Sequence, residues 1–414
     1  MFEAFRESDY RRFWVAQFIS NIGSWMQTVA QGWLVYRLTD SPFLLGFVGF
    51  ASSAPAVVLM LPGGVIADHF DRKRVVAFSQ IAQAGCALFL AVMIALHRVN
   101  VWQIIGAAVV VGIAQSFSAP AFQAMIIDLL EDRARLPNAI AMNSLQFNSS
   151  RVIGPLIAGA TLSVWGAGWS FFLNALSFFP LVWVLMRTRN RQVPLTGSLA
   201  IGNRLAEGFR FVRSDRIVML LLGVVAALSI FSYPLVNLMP VVARAAFADE
   251  AAGLGYLMAA IGVGALGAAL LLSMRTPGEK RSLLLITGSL FVNGAALTAV
   301  GAFRSGAAIL TLLFVYGAST IAGTALCNTT IQRRVPDSIR GRVLSMYTFA
   351  FFAAIPFGNL AAGLAAEKRG IVGAVLILGG GVVGTGVLAA LILWMNGKAM
   401  PVTRESPRSS IAGT

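Results

Sequence analysis

Gly64-Val65-Ile66-Ala67-Asp68-His69-Phe70-Asp71-Arg72-Lys73-Arg74 separates two strongly apolar stretches, 43–67 and 75–96. Each flank is long enough to cross the hydrocarbon of a bilayer, which takes about 20 mostly apolar residues. A charged turn this short between them makes a membrane hairpin. The chain leaves the hydrocarbon, turns in the headgroup layer and goes back. The run Arg72-Lys73-Arg74 puts that turn on the cytoplasmic side, where Lys and Arg accumulate.

The same alternation continues in both directions. Apolar runs fall at 12–36, 43–67, 75–96, 101–127, 139–163, 168–186, 217–243, 252–274, 282–302, 306–331, 343–366 and 371–396. Breaks coincide with polar or Pro/Gly punctuation such as Thr39-Asp40-Ser41-Pro42, His97-Arg98-Val99-Asn100 and Arg275-Thr276-Pro277-Gly278. Of the 414 residues 57% are apolar and only 12% charged, whereas a water-soluble domain is about half apolar and a quarter charged. Twelve helices of about 20 residues use nearly all of that apolar supply. The composition excludes an ordinary soluble enzyme, a disulfide-rich secreted domain and a disordered chain. The expected fold is all-α and integral to the membrane, with twelve transmembrane helices in two six-helix halves. The halves are 1–186 and 217–396, joined by a cytoplasmic linker at 187–216 and followed by a cytoplasmic tail at 397–414. Within the linker, Asn203–Arg213 reads as an amphipathic helix lying on the membrane surface. No cleavable signal peptide is expected, because the first apolar segment is too long for one and lacks a small-residue cleavage site.

The formal charge of +15 suggests nucleic acid until its distribution is read. With the N-terminus inside, 25 of the 32 Lys and Arg fall in cytoplasmic segments. Arg37, Arg98, Arg244, Arg304, Lys368 and Arg369 fall outside, and Arg151 lies within a span. The charge is an orientation device facing anionic cytoplasmic lipid. Expected partners are therefore a small-molecule substrate and the lipid bilayer, with no nucleic acid. The chain is expected to act as a monomer in the bacterial cytoplasmic membrane, with both termini inside and no cofactor or metal. Cys86 and Cys327 fall inside apolar runs and read as small buried residues.

The halves repeat. Gly154, Gly159 and Gly166 recur as Gly358, Gly363 and Gly370, Met142 recurs as Met346, and Gly46 is matched by Gly255. Two six-helix halves joined by a polar linker are the layout of a rocker-type secondary transporter.

The loop quoted first resembles the major facilitator superfamily motif Gly-x-x-x-Asp-Arg-x-Gly-Arg-Lys. Gly64, Asp68, Arg72 and Lys73 match, while His69 and Asp71 depart from it. Gly64 allows close helix approach, and Asp68 is suited to the positive N-terminus of a helix in the other half. Arg72 and Lys73 would hold the loop by ion pairs, so the four residues form a gating latch. The fifth span, Ser150-Arg151-Val152-Ile153-Gly154-Pro155-Leu156-Ile157-Ala158-Gly159, is similar to the superfamily's exporter motif. There Gly154, Pro155 and Gly159 serve close helix packing. Ser118-Ala119-Pro120-Ala121, Leu136-Pro137-Asn138-Ala139 and Val335–Ser345 look like the bacterial transmembrane secretion effector branch, which includes enterobactin-exporter-like proteins. That resemblance implies export of a small molecule (siderophore, drug or metabolite) by alternating access, and antiport.

A few polar residues inside the spans are the candidates for substrate contact. Gln17, Asn21, Ser24, Thr28 and Gln31 lie on one face of the first span, spaced at helical intervals. Gln115 and Gln123 belong to the fourth span, Asn237 to the seventh and Asn328 to the tenth. In the superfamily these four spans line the central cavity. The competing reading is hydrogen bonding between helices, worth about 0.6–2 kcal/mol per contact. Arg151 is the one ionisable residue deep in a span, about 15–20 Å in at about 1.5 Å per residue. A charge there must face water, a polar cluster or an anion. It reads as a substrate anchor, a member of the gating network, or part of a structural knot with Asn148, Asn174 or backbone carbonyls. All 17 acidic residues fall in loops or at span ends, so proton coupling is implied by the resemblance and by no mid-membrane carboxylate. An uptake carrier for a small organic anion held by Arg151 is the alternative function. A membrane enzyme is disfavoured because the only histidines, His69 and His97, lie in separate loops. An ATP-driven pump is disfavoured because no phosphate-binding Gly-x-x-x-x-Gly-Lys-Ser/Thr loop occurs.

Overall fold

A computed structural model describes residues 3–188, 201–274 and 277–399, with side chains except at 60–69, 133, 201–206 and 396–399. It is helical throughout, and no strand occurs among the described residues. The helices are α1 (Ser8–Thr39), α2 (Pro42–His69), α3 (Arg72–Ala95), α4 (Val101–Asp128), α5 (Leu136–Val164), α6 (Ala167–Arg187), α7 (Ile201–Ser214), α8 (Arg216–Phe231), α9 (Met239–Ala246), α10 (Glu250–Met274), α11 (Glu279–Val300), α12 (Gly306–Arg334) and α13 (Asp337–Ala399). Every apolar run of the sequence lies on a helix. Nine segments among the described residues are long and apolar enough to cross a membrane, and Asp337–Met395 counts once among them. The polar stretches Gln17–Gln31 of α1 and Asn138–Arg151 of α5 lower the hydropathy of those two helices.

Helix ends follow local chemistry. Asn100 and Gln103 form a reciprocal capping box at the start of α4, which satisfies two amide donors that an α-helix leaves free. Asp215 caps α8 by accepting from the backbone N–H of Ile217 and Val218. The repeated glycines Gly166 and Gly370 both take positive φ, 82° and 67°, a conformation that glycine adopts without steric cost. The first turns the chain from α5 into α6. The second bends α13 into two arms, 337–369 and 371–399.

The run expected as one seventh span, 217–243, is broken. Helix α8 ends at Phe231, a 3-10 segment follows over Tyr233–Leu238, and α9 resumes at Met239. Pro234 and Pro240 each remove a backbone donor and clash with the preceding turn, so a straight helix cannot pass through both. The expected linker helix is α7, and the linker residues 189–200 and the tail from 400 lie outside the described residues.

Two helix pairs carry most of the packing between halves, α2 with α13 and α5 with α10. At each, a repeated glycine meets another. A Cβ on Gly46 would lie 2.4 Å from the Asn359 carbonyl oxygen and 2.8 Å from Gly363 Cα. A Cβ on Gly255 would lie 2.8 Å from the Pro155 carbonyl oxygen and 2.9 Å from Gly159 Cα. Gly46 is the repeat mate of Gly255 and Gly159 that of Gly363, so the two crossings are images of each other. The next pair obeys the same relation within the halves. A Cβ on Gly154 would strike Trp25 and the Ile22 carbonyl of α1, and one on Gly358 would strike Ile230 and the Ser229 carbonyl of α8.

Single methyl groups therefore test the crossings. Gly46→Ala and Gly255→Ala should each lower the midpoint of thermal unfolding in detergent, since overpacking costs about 1–3 kcal/mol. Gly85→Ala should not, because a Cβ there meets nothing within 4 Å. Equal midpoints for all three variants would show that the crossings yield freely.

Candidate functional site

The polar face of α1 exists as expected, and its groups largely satisfy one another. Gln17 Nε2 donates to Asn21 Oδ1 at 3.0 Å. The hydroxyls of Ser24 and Thr28 donate to the carbonyls of Ser20 and Ser24, both at 2.9 Å. Gln31 is half-buried and Thr28 exposed. Gln17 is buried, yet its Oε1 has no partner among the described residues. Such an acceptor costs about 1–3 kcal/mol unless a water or ligand donor reaches it. The adjacent Gln27 has a different task, accepting from Asn174 Nδ2 at 2.6 Å and tying α1 to α6.

The other candidates do not gather into one hydrogen-bonded cluster. Gln115 turns toward α3, where its amide donates to Gln83 Oε1 at 3.4 Å. Gln123 is exposed on α4. Asn237 donates to Asn359 Oδ1 at 2.8 Å, and both lie against Gly49 of α2. Asn328 accepts from Gln332, one turn on in α12.

Arg151 sits where the halves face each other. Its guanidinium lies over the Trp25 ring of α1, 5.7 Å from the centroid, and that ring meets Phe147 edge-on at 6.0 Å. Pro155 lacks the N–H that would bond the Arg151 carbonyl, and this carbonyl packs against Gly262 of α10, 2.9 Å from where a Cβ would stand. Among the described residues Arg151 makes no ion pair. Neither Asn148 nor Asn174 accepts a hydrogen bond from it among the described residues; the amide of Asn148 donates to the Ser144 carbonyl and that of Asn174 to Gln27.

The broken seventh span is pinned by a buried polar knot that sequence reasoning missed. Ser232, at the end of α8, donates its hydroxyl to Asn293 Oδ1 at 2.9 Å. Asn293 Nδ2 donates to Thr320 Oγ1 at 2.7 Å and Ser319 Oγ at 3.1 Å. Tyr316 donates to the Ser232 carbonyl at 2.8 Å. In hydrocarbon a freed backbone group must find a partner inside the protein, and Tyr316 supplies one where the helix stops. The available signal was the lone Asn293 in an apolar run.

The two ends of the molecule differ. At the end carrying residues 40–41, 163–167, 244–250 and 367, polar contacts cross between the halves. Arg244 pairs with Asp40 and covers the Tyr36 ring at 5.4 Å. Ser163 donates to Asp249 Oδ2 at 2.9 Å. Glu367 Oε2 accepts from the Ser41 hydroxyl at 2.9 Å and the Phe43 N–H at 3.1 Å, so a carboxylate of one half caps a helix of the other. These contacts border a cavity of about 680 Å3 lined by Trp33, Tyr36, Asp40, Ser163, Arg244 and Asp249. At the other end, ion pairs between described side chains stay within a half or join α7 to α13. Arg72 reaches Asp128 at 2.9 Å, and Arg334 reaches Asp215 at 2.6 Å. Lys73 donates to the Thr188 carbonyl at 2.7 Å instead of forming the expected ion pair, because the C-terminus of α6 presents an unbonded carbonyl there. The side chains of Gly64 and Asp68, the remaining latch residues, lie outside the described residues.

The Ala252 N–H and the Ser163 hydroxyl hold the Asp249 carboxyl below its ordinary value near 3.8. A depressed carboxylate keeps its stabilising contacts above that ordinary value and loses them as pH falls through its lowered pKa. The Ser163–Asp249 contact should thus be unchanged between pH 8 and 5. A cysteine replacing the buried Leu162 reports on this end. Its labelling by a membrane-impermeant maleimide should quicken severalfold in Arg244→Ala, with variant and parent compared at the same pH because maleimide attacks the thiolate, and that ratio should be the same at pH 6 and pH 8. Equal labelling of variant and parent would remove the bridging role.

Comparison with known proteins agrees with this geometry. The transmembrane secretion effector family matches residues 1–410. The staphyloferrin A transporter of Staphylococcus aureus is 25% identical, over 89% of this chain and 92% of its own. The enterobactin exporter EntS of Shigella boydii is 26% identical, over 82% of this chain and 80% of its own. The solved structure of a bacterial homologue of the human lysosomal transporter Spinster, inward-facing and unoccupied, shares the fold. It has a TM-score of 0.70 at 16% identity, covering 98% of this chain and 100% of that one. A multi-pass helical chain whose halves meet at repeated glycines, and which matches this family along its length, is a membrane transporter and not an enzyme. It belongs to the transmembrane secretion effector family of the major facilitator superfamily.

Proposed function

We infer that this protein exports a small organic molecule across the bacterial cytoplasmic membrane by alternating access. On this reading the chain crosses the membrane twelve times, with both termini in the cytoplasm. Its two six-helix halves are closed toward the outside and open toward the cytoplasm. One observation carries the reading. Among the described side chains, the polar contacts between halves concentrate at one end, through Asp40–Arg244, Ser163–Asp249 and Ser41–Glu367. Arg151 and the Gln17–Thr28 face lie on the other side of the Gly159–Gly255 crossing. Loading from the cytoplasm and release after the outer contacts part is the direction this arrangement serves. The enterobactin exporter among the relatives supports the same direction.

Antiport with protons would use a carboxylate at a helix end, because every described carboxylate in a membrane-crossing helix is there. A second reading, uptake of a small organic anion, is favoured by Arg151, whose charge makes no ion pair among the described residues. Cells expressing the protein should lose a labelled substrate faster than cells lacking it, across a panel of siderophores, drugs and metabolites. Accumulation of label would favour uptake, and no difference across the panel would count against transport of these classes.

Two variants test the site inside that assay. Arg151→Ala should reduce transport at least tenfold, and Arg151→Lys should recover part of it if charge is what matters. Gln17→Leu removes the unmet buried acceptor, so thermal stability should hold or rise while transport falls. Normal transport in both Arg151→Ala and Gln17→Leu would reduce the two residues to structural parts.

A further inference from the structure

The flank of the C-terminal half carries a groove of about 480 Å3 between α8 and the second arm of α13. Gly223, Val224 and Ala227 form its floor, and Met219, Leu388 and Met395 border it. These three border residues are 51%, 57% and 62% exposed, and a Cβ on Gly223 would meet nothing within 4 Å. From Arg216 to Ala227 the α8 wall rises about 16 Å at about 1.5 Å per residue. One leaflet of hydrocarbon is about 15 Å deep, half the bilayer core. The groove therefore runs the depth of one leaflet.

Its chemistry changes along that depth. Thr385 is the only polar side chain away from the mouth, and its hydroxyl donates to the Gly381 carbonyl of its own helix at 2.8 Å. Nothing deep in the groove asks for a polar ligand. At the mouth, Arg216 is exposed and makes no ion pair among the described residues. It stands in the first turn of α8, where the helix dipole disfavours a cation. The neighbouring Asp215 is already committed to the α8 amides and to Arg334. Arg210 and Arg213, both exposed on α7, add positive charge beside it. A helix start that keeps an unpaired guanidinium over an apolar channel is complementary to an anionic head joined to a long apolar tail.

We propose that this groove is a binding site for an anionic phospholipid, with one acyl chain between α8 and α13 and the phosphate on Arg216. The proposal rests on the orientation inferred above only in naming the leaflet as the cytoplasmic one. The test is native mass spectrometry of the full chain in detergent, with phosphatidylglycerol or phosphatidylcholine added at equal amounts. The parent should retain phosphatidylglycerol preferentially. Arg216→Gln should lower that retention about fivefold, toward the phosphatidylcholine level, the loss expected for one basic residue at an anionic surface. Arg216→Lys should keep most of it. Gly223→Phe, filling the channel, should lower retention of both lipids, with an unchanged helical circular dichroism spectrum as the folding control. Equal retention of the two lipids, or Arg216→Gln binding like the parent, would overturn the headgroup assignment. Undiminished binding in Gly223→Phe would overturn the groove. A dimer peak that disappears in Gly223→Phe would assign the groove to a second copy of the chain instead. No transport is read in this experiment, so a failed export assay beside normal lipid retention would leave the site standing.

Discussion

Two helix backbones touch at Gly46–Gly363 and two at Gly159–Gly255, and the rest of the architecture hangs on those contacts. Apolar side chains give a membrane protein little reason to associate, because lipid is as apolar as they are. Close packing supplies the attraction, and it needs surfaces without Cβ atoms. Both crossings join one half to the other, so these four glycines are where the two halves approach closely, and on the proposed reading the halves rock about them. Gly154 and Gly358 repeat the device inside each half, seating α5 on α1 and the first arm of α13 on α8. Each half is thus a rigid unit. Among the described side chains, the hydrogen bonds and ion pairs between the two units gather toward one end.

The second constraint is the cost of unsatisfied polar groups away from water. It accounts for the one break in a span. Pro234 and Pro240 end the helix, and the Ser232–Asn293–Thr320–Tyr316 knot absorbs what the break releases. It also accounts for where irregularity is absent. Ser24, Thr28, Thr161, Thr311 and Thr385 all return their hydroxyls to carbonyls of their own helices, so they cross the bilayer without needing partners. Against that background the exceptions stand out. Among the described residues Gln17 Oε1 has no partner, a lack it shares with Gln80 Oε1, Gln146 Oε1, Ser170 Oγ and Ser229 Oγ, and the Arg151 guanidinium has only the Trp25 ring beneath it.

Much of this was legible in the sequence, and the division follows range and geometry. Span positions follow from apolar run length, a local property, and they lie on helices along the whole chain. Repeated glycines were visible as matched positions, and the structure shows their purpose, since mates meet across the interface. The broken seventh span was not legible as a break, because Leu235, Val236 and Leu238 keep the stretch apolar through Pro234. Outer contacts were beyond reach for another reason. Asp40 and Arg244 are 204 residues apart, and nothing in either neighbourhood marks the other. Among the site candidates, helical spacing correctly put Gln17 to Gln31 on one face of α1. It could not tell that Gln115 would lean toward Gln83 or that Gln27 would be taken by Asn174. A polar residue on a buried helix has several neighbours, and rotamer and crossing angle decide which one it meets.

The charge distribution then explains how such a chain can switch at all. Carboxylates in the membrane-crossing helices lie at helix ends, where water and backbone donors reduce the cost of ionisation. Ion pairs among the described side chains are accordingly confined to the two ends of the molecule. At the end carrying Asp40, Arg244 and Glu367 polar contacts run between halves. At the other end, between described side chains, they run within a half or from α7 to α13, as Arg72–Asp128 and Arg334–Asp215 do. On the proposed alternating-access reading, one closed end is exchanged for the other without dismantling either half, since the ion pair between halves is exposed and exposed pairs are individually weak. Arg151 is the exception within the apolar middle. It sits beside the Gly262 contact, and a charge at that depth is most stable when water or an anion accompanies it.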